Sequence, residues 1–254
     1  MAERNQYYLY SASGSAIGGA LTSPTPLVIP TQAMVSLSPS GGYGSSTVEN
    51  FGIAGVVAVR KATSTAQGDP KQTELTVTLE GVDVMGVLTV ERIVTHLVCE
   101  PPVGGAEASI TPAGSLIEGM AVNGTPVPLV SSVDVFAKNP TYSALEQAYV
   151  DGALQGLILA PGSLGAPCEA GKMGGCQTKY GDVRATFYAL NANSGVLPVV
   201  NGGLRIKDFA TLYLGEYRIT PYKRSVTMLR VELGCDTGGS LAMGGGSGNG
   251  HEEP

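Results

Sequence analysis

Apolar and polar positions alternate along much of this chain with a period of two. From Leu79 to Cys99, LEGVDVMGVLTVERIVTHLVC, a β-branched or leucine side chain stands at almost every other position, and proline is absent. That apolar density on both faces predicts a central extended segment, broken near Met85-Gly86. Just upstream, Leu75, Val77, Leu79, Val82 and Val84 mark the buried side of Glu74 to Val84. The phase slips at Gly81, where a β-bulge is expected. Gln32 to Ser38 alternates too, with Ala33, Val35 and Leu37 on one face, and Thr47 to Arg60 reads as a strand pair. Further strands are expected at Tyr7 to Tyr10, at Val133, Val135 and Ala137, and at Ala153 to Ala160. The last ones are Asp182 to Leu190, Thr211 to Thr220 and Ser225 to Leu233.

The breaks between these segments have their own chemistry. Gly14 to Gly19 reads as a small-residue loop and Ser64 to Lys71 as a polar one. Pro24, Pro26 and Pro30 keep Ser23 to Pro30 out of a sheet interior. Asn123-Gly124 is a type I′ hairpin signal, since that turn needs positive φ at both central residues. One helix is expected, from the capping-box pattern Ser143-Ala-Leu-Glu146, with Leu145, Ala148 and Tyr149 at helical spacing and Gly152 as its stop.

A repeat runs through the pattern. Val48-Glu-Asn-Phe-Gly-Ile-Ala-Gly55, Leu79-Glu-Gly-Val-Asp-Val-Met-Gly86 and Ile117-Glu-Gly-Met-Ala-Val-Asn-Gly124 align without gaps, and Leu154-Gln-Gly-Leu-Ile-Leu159 is a weaker fourth copy. A β-solenoid is one reading. The unequal intervals and dissimilar loops favour the other: an all-β, antiparallel β-sandwich with one short helix. Residues 1–235 are expected as a single β domain, and 236–254, DTGGSLAMGGGSGNGHEEP, as a flexible Gly-rich tail.

Composition sharpens the class. With 14% charged residues, 36 glycines and 16 prolines, short strands and turns outweigh helices. A net charge of −6 gives no basic field, so no nucleic-acid partner is expected. No apolar run approaches the ~20 residues of a membrane span, and no membrane insertion is expected. Met1 to Leu21 has neither the basic region nor the continuous apolar core of a signal peptide.

Candidate chemistry is thin. His96 lies in a strand and His251 in the tail, and no nucleophile-elbow, phosphate-loop or dinucleotide motif is present. No catalytic residue, cofactor or metal is expected; zinc is disfavoured because no Cys-x-x-Cys occurs. Cys168 and Cys176 bracket the loop CEAGKMGGC and are a candidate disulfide. Cys99 and Cys235, each ending an expected strand, are a second, with free buried thiols as the alternative. Glu49, Glu80, Glu91 and Glu118 would serve a glycosidase-type reaction if they converged. The competing reading pairs the repeated glutamates with Arg60, Lys61 or Arg92. Tyr7, Tyr8 and Tyr10, with Tyr213, Tyr217 and Tyr222, are a candidate interaction surface for a sugar or partner; cross-strand packing is the other reading.

IPTQAMVSL, GGYGSSTVENF, GVLTVERIVTH, GSLIEGMAVNGTPV and LYLGEYRITPYKRSVTMLRVELG resemble the bacterial choice-of-anchor P family, over Ser11 to Gly234. The resemblance implies a surface-type β domain joined to varied C-terminal anchors, hence an extracellular or cell-surface place. Neither a signal peptide nor an anchor is read at the ends of this chain. The expected function is a non-enzymatic structural or interaction β module that self-associates as a homo-oligomer. A carbohydrate- or ligand-binding sandwich is the alternative.

Overall fold

The computed structural model describes residues 7–8, 10–101, 107–160, 183–188, 197–200, 202–220, 223–249 and 252–253. Tyr7–Tyr8 forms β1, followed by β2 (Ala12–Ser23), β3 (Leu27–Gln32) and β4 (Val35–Ser36). Gly14 to Gly19 is therefore strand, not loop. Its glycines answer to packing: a Cβ on Gly19 would collide with the Ser240 carbonyl oxygen, and one on Gly14 would stand 2.7 Å from Val77 of the opposite sheet. Ala33, Val35 and Leu37 are buried together, as the alternation predicts.

The next four strands, β5 (Gly42–Ile53), β6 (Val57–Gly68), β7 (Thr73–Val84) and β8 (Leu88–Glu100), form a meander. The polar loop expected over Ser64 to Lys71 begins only after Gly68. Ser64 and Ala66 point inward while Thr63 and Thr65 are half-buried on the other face, so the polarity belongs to a strand face. Leu75, Val77, Leu79, Val82, Val84, Leu88, Val90 and Ile93 are essentially inaccessible, which places the Leu79–Cys99 stretch at the centre of the core.

Short pieces line the far side of β8: β9 (Ser109–Thr111), β10 (Leu116–Glu118) and β11 (Ala121–Val122), the last paired with β12 (Thr125–Pro126). The β11–β12 hairpin turns on Asn123 (φ 48) and Gly124 (φ 74), the left-handed pair its sequence predicts. Val133, Val135 and Ala137 do not continue the sheet. They lie in helix α1 (Val133–Ala137), where Val133 and Phe136, three apart, are the buried residues. Helix α2 (Tyr142–Val150) follows. Its cap is Thr141, whose hydroxyl accepts the Ala144 N–H at 3.2 Å, rather than Ser143. The described residues thus carry two short helices instead of one, and neither is long and apolar enough to cross a membrane.

Most of the strand expected over Ala153 to Ala160 is turns, leaving β13 (Ile158–Ala160). After it come β14 (Val183–Thr186), β15 (Val199–Val200), β16 (Gly203–Ile206), β17 (Ala210–Ile219), β18 (Lys223–Gly234), β19 (Gly238–Asn249) and β20 (Glu252–Glu253). The flexible-tail expectation for 236–254 is overturned: β19 lies between β18 and β2, deep in the second sheet. Leu241 and Met243 point into the core, and the glycines let the opposite sheet close in. A Cβ on Gly246 would meet Leu75 at 2.8 Å, and the Thr95 hydroxyl donates to the Gly244 carbonyl at 2.5 Å across the sheets.

The first sheet runs β12-β11-β8-β7-β6-β5, with β9 and β10 also on β8. The other sheet runs β13-β14-β17-β18-β19-β2-β3, with β4 on β2 and β16 on β17. β2, β18 and β19 pack across β6, β7 and β8. Neighbouring strands are antiparallel, which is a sandwich and not the parallel stacking of a solenoid.

Candidate functional site

The first sheet draws the three main copies of the repeat into one row. Glu49 stands opposite Lys61, Lys61 opposite Glu80, Glu80 opposite Arg92, and Arg92 opposite Glu118. Charge alternates across β5, β6, β7, β8 and β10, beginning and ending on a carboxylate. Lys61 lies 3.7 Å from Glu49, Arg92 3.8 Å from Glu118, and Arg60 reaches Glu80 at 3.3 Å. All these side chains are largely exposed, so each pair contributes at most about 1 kcal/mol. A base separates each of Glu49, Glu80 and Glu118 from the next, which is the geometry of a salt ladder.

The residue after each repeated glutamate is left-handed: Asn50 (φ 52), Gly81 (φ 62) and Gly119 (φ 62). No residue is inserted at Gly81, because Glu80 and Val82 keep one register with both β6 and β8. The expected β-bulge is replaced by a slip shared between strands. Val59 and Ala62, Leu79 and Val82, and Val90 and Ile93 are buried pairs, each separated by two outward residues. Left-handed positions alternate with long side chains along this line. A Cβ on Gly81 would lie 3.0 Å from Arg60 Cβ, and one on Gly119 would collide with Glu91 Cγ. Two strand types therefore interleave: apolar-Glu-(Asn/Gly)-apolar in β5, β7 and the β10 segment, and apolar-long-base-apolar in β6 and β8.

The row ends at an open edge. β5 pairs with β6 on one side and with no described strand on the other. Its twelve residues, GYGSSTVENFGI, contain no proline and a single charge, Glu49, and none is fully buried. Charges, prolines and short length are the devices that blunt an exposed edge. The other edges use them: β3 carries Pro30, β12 is two residues long and ends in Pro126, and β13 has three residues.

Beside β14, β17 and β18 a separate concavity of ≈ 680 Å³ opens, lined by Arg184, Arg218, Arg230, Tyr213, Glu216 and Thr227 among others. Arg230 donates to both Glu216 oxygens, at 2.7 and 2.8 Å, pairs with Glu232, and lies 3.8 Å from the centre of the Tyr213 ring. Its hydrogen bonds to Glu216 push the Arg230 pKa above the ordinary arginine range. Sequence reading missed this cluster; its signal was the outward spacing of Tyr213, Glu216 and Arg218 along one strand.

The candidate tyrosine surface is not assembled among the described residues. Tyr217 is buried, with ring centroids 5.3 Å from Phe136 and 5.0 Å from Phe187, and Tyr213 is half-buried beside Arg230. Tyr10 is half-buried and packs against the core. β1 pairs with β20, while the side chains of Tyr7 and Tyr8, and all of Tyr222, lie outside the described residues. His96 sits opposite Thr76 as a cross-strand residue, its Nδ1 donating to the Ala113 carbonyl at 2.5 Å and its Nε2 3.1 Å from Glu74.

The Cys99–Cys235 pairing is overturned, for both are free thiols. A Cβ on Gly248 would touch Cys99, whereas Cys235 follows the Gly234–Gly238 end of the same ladder. From Gly238 to Gly248 a strand covers about 33 Å, far beyond disulfide reach. Cys168 and Cys176 lie outside the described residues.

These features define a two-sheet antiparallel β-sandwich that, among the described residues, presents one long unpaired strand edge. The chain belongs to the family described as Domain of unknown function (DUF8256), which matches residues 8–158, over half of the sequence and the whole of the charged row. No curated protein and no solved structure matches it. That family's description assigns no activity and draws no link to the one the strand phrases resemble.

Proposed function

We propose that this protein is a non-enzymatic interaction module that recruits a protein partner by strand addition at β5. The observation behind this reading is the twelve-residue edge with no proline and one charge, next to edges that are short or proline-bearing. An added strand satisfies the outward backbone groups, each hydrogen bond contributing roughly 0.5–1.5 kcal/mol net. This reading sets aside the self-association expected from the composition in favour of a heterologous partner. A place on the cell surface, implied by the resemblance to the choice-of-anchor P family, suits a module of this kind.

Hydrogen exchange tests the reading. The probe is a peptide of residues 57–68, VAVRKATSTAQG, the sequence that already pairs with β5 from its inner side. Added to the intact protein, it should slow amide exchange within 42–53, and a version with proline at alternate positions should not. Exchange in 42–53 that no peptide changes would contradict strand addition.

A further inference from the structure

The alternation of two strand types specifies what β5 can accept. We infer that the strand added there carries the pattern apolar-long-Lys/Arg-apolar, with its base opposite Glu49, and comes from a protein other than a second copy of this chain. The inference rests on the strand-addition reading.

β7 supplies the template, because it is the same type of strand with both neighbours in place. Glu80 faces Lys61 on one side and Arg92 on the other. Gly81 lies on the line of Arg60 in Val59-Arg-Lys-Ala62 and of Glu91 in Val90-Glu-Arg-Ile93. Nowhere in the described part of this sheet do two left-handed strands of the repeat adjoin. β5 has the inner half of that environment, Lys61 opposite Glu49 and Arg60 on the line of Asn50. Its outer half is empty of any described strand. The missing neighbour therefore resembles β6 or β8: a long residue facing the left-handed Asn50 and a base facing Glu49, which is about three-fifths exposed. Opposite charges directly across a strand pair attract and like charges repel.

No described strand of a second copy meets this demand. β6 and β8, which carry the pattern, are flanked by strands on both sides. Among the described residues the other strands with an open edge, β1, β3, β4, β9, β10, β12, β13, β15 and β20, contain no lysine or arginine. Pairing β5 with another β5 offers Glu49 no base either. Continuing the row from the far end of another copy would bring Glu49 toward Glu118.

A charge exchange tests the inference. Binding of the 57–68 peptide and of its Lys61→Glu form is measured by titration calorimetry against wild-type protein, Glu49→Lys and Glu49→Gln, with folding checked by circular dichroism. Wild type should prefer the lysine peptide, roughly threefold to tenfold. Glu49→Lys should prefer the glutamate peptide, and Glu49→Gln, which keeps Lys61 free of a new like charge, should lose the discrimination. Equal binding of both peptides to wild type, with protection of 42–53 retained, would overturn the charge rule and leave strand addition standing. Failure of both peptides to bind or protect would remove the edge reading itself. Sedimentation should show a monomer; a dimer abolished by proline substitutions at Ser45 and Ser46, one of which must present its N–H outward, would overturn the heterologous partner.

Discussion

Glycine in this chain has two jobs that one-dimensional reading confuses. Gly81 and Gly119 adopt positive φ under a neighbouring long side chain, whereas Gly14, Gly19 and Gly246 are places where another strand or sheet comes too close for a Cβ. Left-handed glycines of the first kind are visible as a phase slip in an alternating strand. Close-approach glycines mimic loop composition until the facing layer is known. Cys99 shows the same dependence on surroundings: burial pushes its thiol from an ordinary 9.0 up to about 12, against the pull of the Arg224 charge. Below pH 9.0 the thiol is protonated in folded and unfolded chains alike and its contribution is fully present. Between 9.0 and about 12 only the unfolded chain ionises, so stability should fall as pH rises. Burial pushes Tyr188 up to about 12 as well and adds to the same decline. Urea midpoints across that window should drop more steeply for wild type than for Cys99→Ala; identical slopes would show that the thiol does not carry the effect.

Among elements, those whose side-chain period is unambiguous were legible. The buried sides of β7 and β18 and the Asn123-Gly124 turn follow from alternation and turn chemistry alone, whereas the second half of β6 reads as a polar loop. Val133 to Ala137 satisfies two periods at once, since Val133 pairs with Val135 in a strand and with Phe136 in a helix, and tertiary packing chose the helix. β19 was illegible because Leu241 and Met243 are too few to signal a strand among so many glycines. Its position predicts that deleting 236–254 leaves β2 and β18 without their common neighbour. The truncated chain should lose cooperative thermal unfolding by circular dichroism; a sharp transition at the wild-type temperature would contradict the assignment.

At the scale of the molecule, one sheet joins the start and end of the chain through β2 and β19, while the other is built largely from one continuous meander. That division explains why the candidate site was half visible. The repeated glutamates and their bases could be named from sequence, and the structure shows them as one ladder. What sequence could not give is which strand stands at the end of the ladder. Sheet order is a long-range property, and β5 differs from β7 chiefly in having no described strand on its outer side. Isotope-edited nuclear Overhauser contacts between labelled protein and the unlabelled 57–68 peptide would locate the strand that β5 accepts. Docking at β5 should give antiparallel contacts along 42–53, with the peptide's lysine beside Glu49 and the native β5–β6 contacts unchanged. Contacts placed instead at the cleft of Arg184, Arg218 and Arg230, or replacement of β6 by the peptide, would contradict it.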